Sequence, residues 1–425
     1  MAVAAILVLT MAHGGVVPRA QSQGLVSIDS LRTHIRTLES AGGHRSRVTF
    51  TAGKDSAAQY IRRAFDAMPG LTSVAFDSFT VAASVPFNTK PLMNVVATLE
   101  AVQSTAPVLV LGAHYDASAS RMGTTVWNQQ WQTIAVPGAD DNATGVAAIL
   151  ELARVLSDPA SGFSRNVTVR FVAFASEESG PAKTSSHEGS RHFAAGAKAR
   201  GESIIGMLSI DMIGFNRSTF YTAIVSDSNS AWLGTAYRRA LDSAGIALQT
   251  NSRPYPTATY SDHETFWAQG YPAILLIEHA PPWNSSSVYS ANPYYHTSWD
   301  TLGTVNLELV RRVTEGVMAL ARALNGGMTG VADGPLNIPV ALELDQNYPN
   351  PFNSSTAITF RLPQADHVRL SAYDLLGREV AVLVNADLPA GQHRTVFESN
   401  LASGNYVYRL QAGSLSISKR MTLLR

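Results

Sequence analysis

Residues 107–116 read PVLVLGAHYD and residues 137–156 read PGADDNATGVAAILELARVL. The first is an unbroken apolar run, Val108–Ala113, that ends on His114 and Asp116. The second carries two adjacent acids straight into Ala143–Leu156, whose apolar residues recur at helical spacing. An apolar run without alternation belongs to a strand covered on both faces, and such strands are the interior of parallel or mixed sheets. The same alternation of elements extends outward. Met93–Leu99, Val167–Phe174, Ile204–Ile210 and Ala273–Ile277 read as further strands. Helical spacing recurs at 28–40, 55–68, Ser190–Ala199, Asn229–Ala244, His263–Ala268 and Leu307–Leu324. The expected fold is a three-layer α/β/α domain with a mixed central sheet, whose chemistry collects in loops at the carboxyl ends of the strands.

The pattern stops after Asn325. Residues 326–342 are rich in Gly and Pro without a period and read as a linker. Beyond them, short period-two runs from Ala357–Leu362 to Leu415–Leu423 predict a small C-terminal immunoglobulin-like β-sandwich over 343–425. At the other end, the apolar run Ala2–Met11 is too short to span a bilayer and suits a signal peptide over 1–22, with a start that lacks the usual basic residues. Residues 23–325 then form the main domain, and no later segment reaches membrane-spanning length.

Of 425 residues, 45% are hydrophobic and 15% charged, and the formal net charge is zero, which points away from nucleic acid and anionic membrane as partners. There are no cysteines, so any metal must sit on His, Asp and Glu.

Five clusters offer such donors. In the extended segment at His114, Asp116 points the same way and is placed to support the imidazole. Asp140 and Asp141 repel each other unless a cation lies close, although one acid there would serve as a helix cap. In Phe174-Ala175-Ser176-Glu177-Glu178, one Glu suits a metal while its neighbour suits general-base work. Asp211 interrupts the apolar strand Ile204–Ile213, where a bare carboxylate is costly. His296 is followed four residues on by Asp300. Together, His114, Asp141, Glu178, Asp211 and His296 supply the mixed nitrogen and oxygen donors that a pair of divalent ions about 3.5–4 Å apart requires.

In order and spacing, HYD (114–116), PGADDNATG (137–145), FASEESG (174–180), IDM (210–212), SDH (261–263) and YHTSWDT (295–301) resemble the co-catalytic zinc peptidases of metallopeptidase family 28, which include bacterial leucyl aminopeptidases. The resemblance covers roughly residues 28–325. It implies two Zn2+, with Asp141 bridging, His114 and Asp211 completing one site, and Glu178 and His296 the other. It also implies Glu177 as general base, Asp116 behind His114, Asp300 as a similar support for His296, and a cis peptide after Asp141. Asp262 and His263 fall where the family places a rim segment, with capping of the next helix as the alternative. Ile277 and Glu278 are expected to approach the substrate pocket. The implied reaction is removal of N-terminal residues from peptides by a metal-activated water. A single-zinc glutaminyl cyclase, a carboxypeptidase or dipeptidase, and a catalytically silent adhesin are the alternatives. Two departures stand out: residues 121–136, with Trp127 and Trp131, and the long loop from Glu178 to Gly189, which carries His187.

The C-terminal stretches NYPNPFN (347–353), YDLLGREV (373–380), SGNY (403–406) and KRM (419–421) resemble a type IX secretion sorting domain. That implies an exported or cell-surface protein with the secretion machinery as a partner.

Overall fold

The computed structural model of the chain describes residues 26–182, 185–216, 219–251, 255–281, 284–286, 289–326, 342–362, 366–388, 391–399, 401–413 and 415–424. The expected signal peptide and all but the ends of the expected linker lie outside them.

The first unit contains β1 (Ser73–Phe79), β2 (Leu92–Leu99), β3 (Val108–His114), β4 (Thr168–Phe174), β5 (Ile204–Ile210), β6 (Tyr221–Ser226), β7 (Gln249–Thr250) and β8 (Ala273–Ile277). Its helices are α1 (Ile28–Glu39), α2 (Ala52–Asp66), α3 (Thr124–Gln130), α4 (Thr144–Ser157), α5 (Glu188–Ala199), α6 (Ala231–Ala244), α7 (His263–Ala268) and α8 (Leu307–Asn325). The strands form one sheet in the order β1-β2-β4-β3-β5-β8-β6-β7. Its centre, β4-β3-β5-β8, is parallel; β1 and β2 run antiparallel to their neighbours, and β6 runs antiparallel to β8 but parallel to β7. Parallel neighbours need crossovers, and α4 and α5 supply those after β3 and β4.

β3 shows why its run lacks alternation. Leu109, Leu111 and Ala113 pack into a core with α1, α2, α4, α6 and α8, whereas Val108 and Val110 pack with Phe193 of α5 and Phe266 of α7. Successive side chains point to opposite faces, and both faces are covered. α4 is buried at every position except Arg154, as expected of a helix apolar nearly all round. Gly145 in its first turn is required by proximity: a Cβ there would lie 2.1 Å from the carbonyl oxygen of Ile210 on β5.

The second unit contains β9 (Glu343–Leu344), β10 (Ser355–Leu362), β11 (Asp366–Tyr373), β12 (Glu379–Leu388), β13 (Gly391–Glu398), β14 (Gly404–Ala412) and β15 (Leu415–Leu423). Two antiparallel sheets, β13-β10-β9 and β12-β11-β14-β15, enclose a core in which Ile358, Phe360, Leu362, Val368, Leu370 and Leu410 are fully buried. The expected sandwich is there. β1, β6, β7, β9 and α3 are additions to the sequence reading; β1 is a half-exposed strand at the sheet edge and carries no apolar run.

Candidate metal centre

The carboxyl ends of the parallel strands meet at one place. β3 ends on His114, β4 leads into Glu177 and Glu178, and β5 leads into Asp211. Asp141 arrives on the turn before α4, entered through Gly138, whose φ of 54° suits glycine. The Asp141–Asn142 peptide is cis, as the resemblance implies. His296 comes from the segment before α8, its ring stacked on Tyr295 with centroids 3.7 Å apart.

His114 Nε2 lies 3.4 Å from Asp141 Oδ1 and 3.3 Å from Asp211 Oδ1. On the other side, His296 Nε2 lies 3.1 Å from Asp141 Oδ2 and 2.6 Å from Glu178 Oε1. Two donor sets result, His114–Asp141–Asp211 and Asp141–Glu178–His296, each within 4.8 Å across. Asp141 belongs to both, with one oxygen facing each histidine. Its Oδ2 is buried without a hydrogen-bond donor.

This donor set suits cations. Four buried carboxylates, those of Asp141, Glu177, Glu178 and Asp211, surround two imidazoles. Burial, with Asp141 and Glu177 close by, pushes the Glu178 carboxyl up to about 8, and burial likewise raises Asp211. Burial opposes charge on His296, but Glu178 and Asp141 override it and raise the imidazole to about 10. Burial would raise Asp141 too, but the two histidines hold it below the carboxylate range. A cation bound there would displace the protons that these raised groups favour.

Asp116 does more than support His114. Its Oδ1 stands 3.7 Å from His114 Nδ1, while its backbone carbonyl is nearer to that nitrogen, at 3.2 Å. The carboxylate mainly accepts the backbone N–H of Glu177 (2.9 Å) and of Glu178 (3.2 Å) and the Thr49 hydroxyl (2.8 Å). The expectation for Asp300 is corrected: it does not support His296. Its two oxygens accept the amides of Asp140 and Asp141 at 2.9 and 3.0 Å, and His296 Nδ1 pairs instead with Ser120 Oγ at 3.0 Å. The turn at Trp299 aims Asp300 at the acidic segment rather than back at the ring.

The other expected residues divide. Ile277 lines the pocket over the donor cluster, which has a volume of about 370 Å³. Glu278 turns inward, accepting the Phe215 amide at 2.6 Å and bonding with Asp140. Asp262 sits at the N-terminus of α7 without capping it; burial and Glu177 push its carboxyl up to about 7. His263 is a buried structural group, its Nε2 donating to the Ala258 carbonyl at 2.8 Å. Trp127 and Trp131 are packed into the core.

Arg47 escaped the sequence reading. Buried beneath the site, it donates to the carbonyls of Tyr115 (2.9 Å), Leu38 (2.9 Å), Gly138 (2.7 Å) and Pro137, tying β3 to the turn that carries Asp141. Backbone carbonyls leave no trace in a sequence, so no signal marks it.

The sequence profile of peptidase family M28 matches residues 94–321, more than half of the chain. The chain belongs to that family. A second profile, that of a secretion system C-terminal sorting domain, matches residues 346–423, so this M28 peptidase carries an address for export to the cell surface or beyond. Among curated relatives, the uncharacterized protein YfbL of Escherichia coli is 28% identical over 289 residues, 62% of this chain and 78% of that one. A probable leucine aminopeptidase of Arthroderma otae is 30% identical over 207 residues, 46% of this chain and 48% of that protein, so the chain spans about half the length of this fungal relative. Two solved structures share the fold. The LapA aminopeptidase of Legionella pneumophila is 20% identical with a TM-score of 0.54, covering 71% of this chain and 72% of its own. Glutaminyl cyclase of Porphyromonas gingivalis is 21% identical with a TM-score of 0.55, covering 71% and 99%. Among the described residues, no helix is long and apolar enough to cross a membrane.

Proposed function

We propose that this M28 peptidase is an exported aminopeptidase that works with two zinc ions. The observation that carries this reading is the sharing of Asp141 between two donor sets, one oxygen to each, with Glu177 beside them. His114, Asp141 and Asp211 would hold one ion, and Asp141, Glu178 and His296 the other. Bound there, the pair would supply Lewis acidity toward a peptide carbonyl and toward water.

The chain's own groups do the rest. Glu177 lies in the pocket wall, takes a proton from the attacking water and returns it to the leaving amine. Asp116 fixes the backbone of Glu177 and Glu178 together, so base and ligand keep one spacing. Asp300 does the same for the Asp140–Asp141 turn. The free α-amino group of a substrate would be drawn to the carboxylates of Glu177 and Glu178. Ile277, Met212 and Tyr295 offer apolar surface to the first side chain.

In the full chain we assign residues 1–22 to a leader, 23–325 to the peptidase unit, 326–342 to a linker and 343–425 to the sorting domain recognised by the type IX machinery. Glu177→Gln should retain metal and lose about 10²–10⁴-fold in turnover of an aminoacyl anilide. Asp141→Ala should lower the zinc content measured on purified protein. A protein holding one zinc and cyclising glutaminyl peptides would replace this reading with the cyclase reaction.

A further inference from the structure

The loop between Glu178 and α5 carries a histidine that the reaction above does not use. His187 adopts a left-handed backbone conformation, φ 56°, uncommon for any residue but glycine. Backbone bonds hold it there. Its N–H donates to the Glu177 carbonyl at 2.8 Å, and the amides of Glu188 and Gly189 donate to Ser176 and Ala175 at 3.0 and 2.9 Å. The loop is thereby folded back along the strand exit that carries the base, and the imidazole is returned to the base itself. Nε2 lies 3.0 Å from Glu177 Oε1, and Nδ1 lies 2.9 Å from Glu264 Oε1 on α7. His187 and Glu177 are both buried, whereas Glu264 is partly exposed and has Arg191 Nη2 at 3.6 Å.

Nδ1 is hydrogen-bonded to Glu264 and Nε2 makes an ion-pair contact with Glu177, so a carboxylate faces each ring nitrogen, an arrangement that favours the doubly protonated imidazolium. Burial alone would lower its pKa, but Glu177, Glu264 and Asp262 override burial and raise it to about 10.

We propose that His187 is a positioning residue for the base: a charged imidazole clamped between Glu177 and Glu264 that fixes the Glu177 side chain in the pocket. The proposal rests on Glu177 being the base. Asp116 fixes the Glu177 backbone, but a glutamate side chain keeps three rotatable bonds beyond it. Pinning Oε1 to a buried cation removes that freedom and leaves Oε2 to receive the proton. The cation also offsets repulsion between Glu177 and Glu178. The gain lies in orientation, which enters kcat.

His187→Gly keeps the left-handed backbone at no steric cost and removes only the ring. In the full chain loaded with zinc, kcat on an aminoacyl anilide should fall about 10–100-fold, the usual cost of losing a supporting partner. KM and zinc content should stay as in the wild type, and added imidazole should restore part of the rate. His187→Asn, which tolerates the backbone and keeps one donor, should fall between. In the metal-free protein, ¹⁵N NMR at neutral pH should show both His187 ring nitrogens protonated. Wild-type kcat in His187→Gly, a neutral ring, or a loss that comes with lost zinc and ignores imidazole would each overturn the clamp. Glu177→Gln separates the two readings. If it keeps full turnover, the base assignment falls and the clamp with it; if it is inactive while His187→Gly is unimpaired, only the clamp falls.

Discussion

The peptidase unit buries Arg47, Lys54, Asp116, Asp140, Glu278 and Asp300 in addition to the candidate metal donors, whereas, among the described residues, the buried polar groups of the C-terminal sandwich are Asn347, Thr356, Ser371 and Ser399, none of them charged. Desolvating a charge is costly unless hydrogen bonds or an opposite charge compensate. In the peptidase unit that compensation is visible group by group, as in the four carbonyls around Arg47. At the donor cluster it is incomplete, and the cations proposed there would complete it. Among the described residues the sandwich has no such centre; what it buries is an apolar core. Its distinctive surface lies outside, where Leu375 and Leu376 are 70% and 80% exposed on the β11–β12 turn.

The contrast can be tested from its strongest consequence downward. Stripping metal with a chelator should abolish anilide hydrolysis and lower the Tm of the peptidase transition, with zinc restoring both, while the sandwich melts as before; calorimetry resolves the two. Asp300→Ala leaves two buried amides without acceptors, each costing about 1–3 kcal/mol, and should destabilise the peptidase unit and lower its turnover. Urea unfolding with a parallel anilide assay checks it, and wild-type values for both would show that the acidic turn holds itself. Phe360→Ala should cost the sandwich about 3–5 kcal/mol and leave kcat unchanged. Glu151 is held below its ordinary pKa: burial opposes the shift, but Arg154 and the Ser27 amide, which donates at 2.6 Å, outweigh it. Its contribution is therefore present above the ordinary carboxylate range and is lost as the pH falls through the lowered value. The stability gap between wild type and Glu151→Gln should accordingly narrow in acid. Leu376→Ser, at the exposed turn, should change stability by no more than about 0.5 kcal/mol.

The central strands were legible because β3, β4, β5 and β8 are buried on both faces and so carry unbroken apolar runs. The donors were legible because each sits where such a run ends, in motifs whose order matches a family. What failed to show depends on geometry between distant segments. Asp300 lies four residues from His296, a spacing that suggested a pair, yet its partners are two amides on a segment far back in the chain. Arg47 binds only carbonyls, which every residue has. His187 was visible as a histidine in a long loop, but nothing in its neighbours foretold that the loop folds back onto Glu177.

The tie between Asp300 and the Asp140–Asp141 turn has a temporal side. It joins a segment made early in synthesis to one made late, beside the histidine that completes the second donor set. Until the late segment docks, the early acids have neither their anchor nor their last partner. A chain cut short before His296 would therefore carry a donor cluster that is neither anchored nor complete.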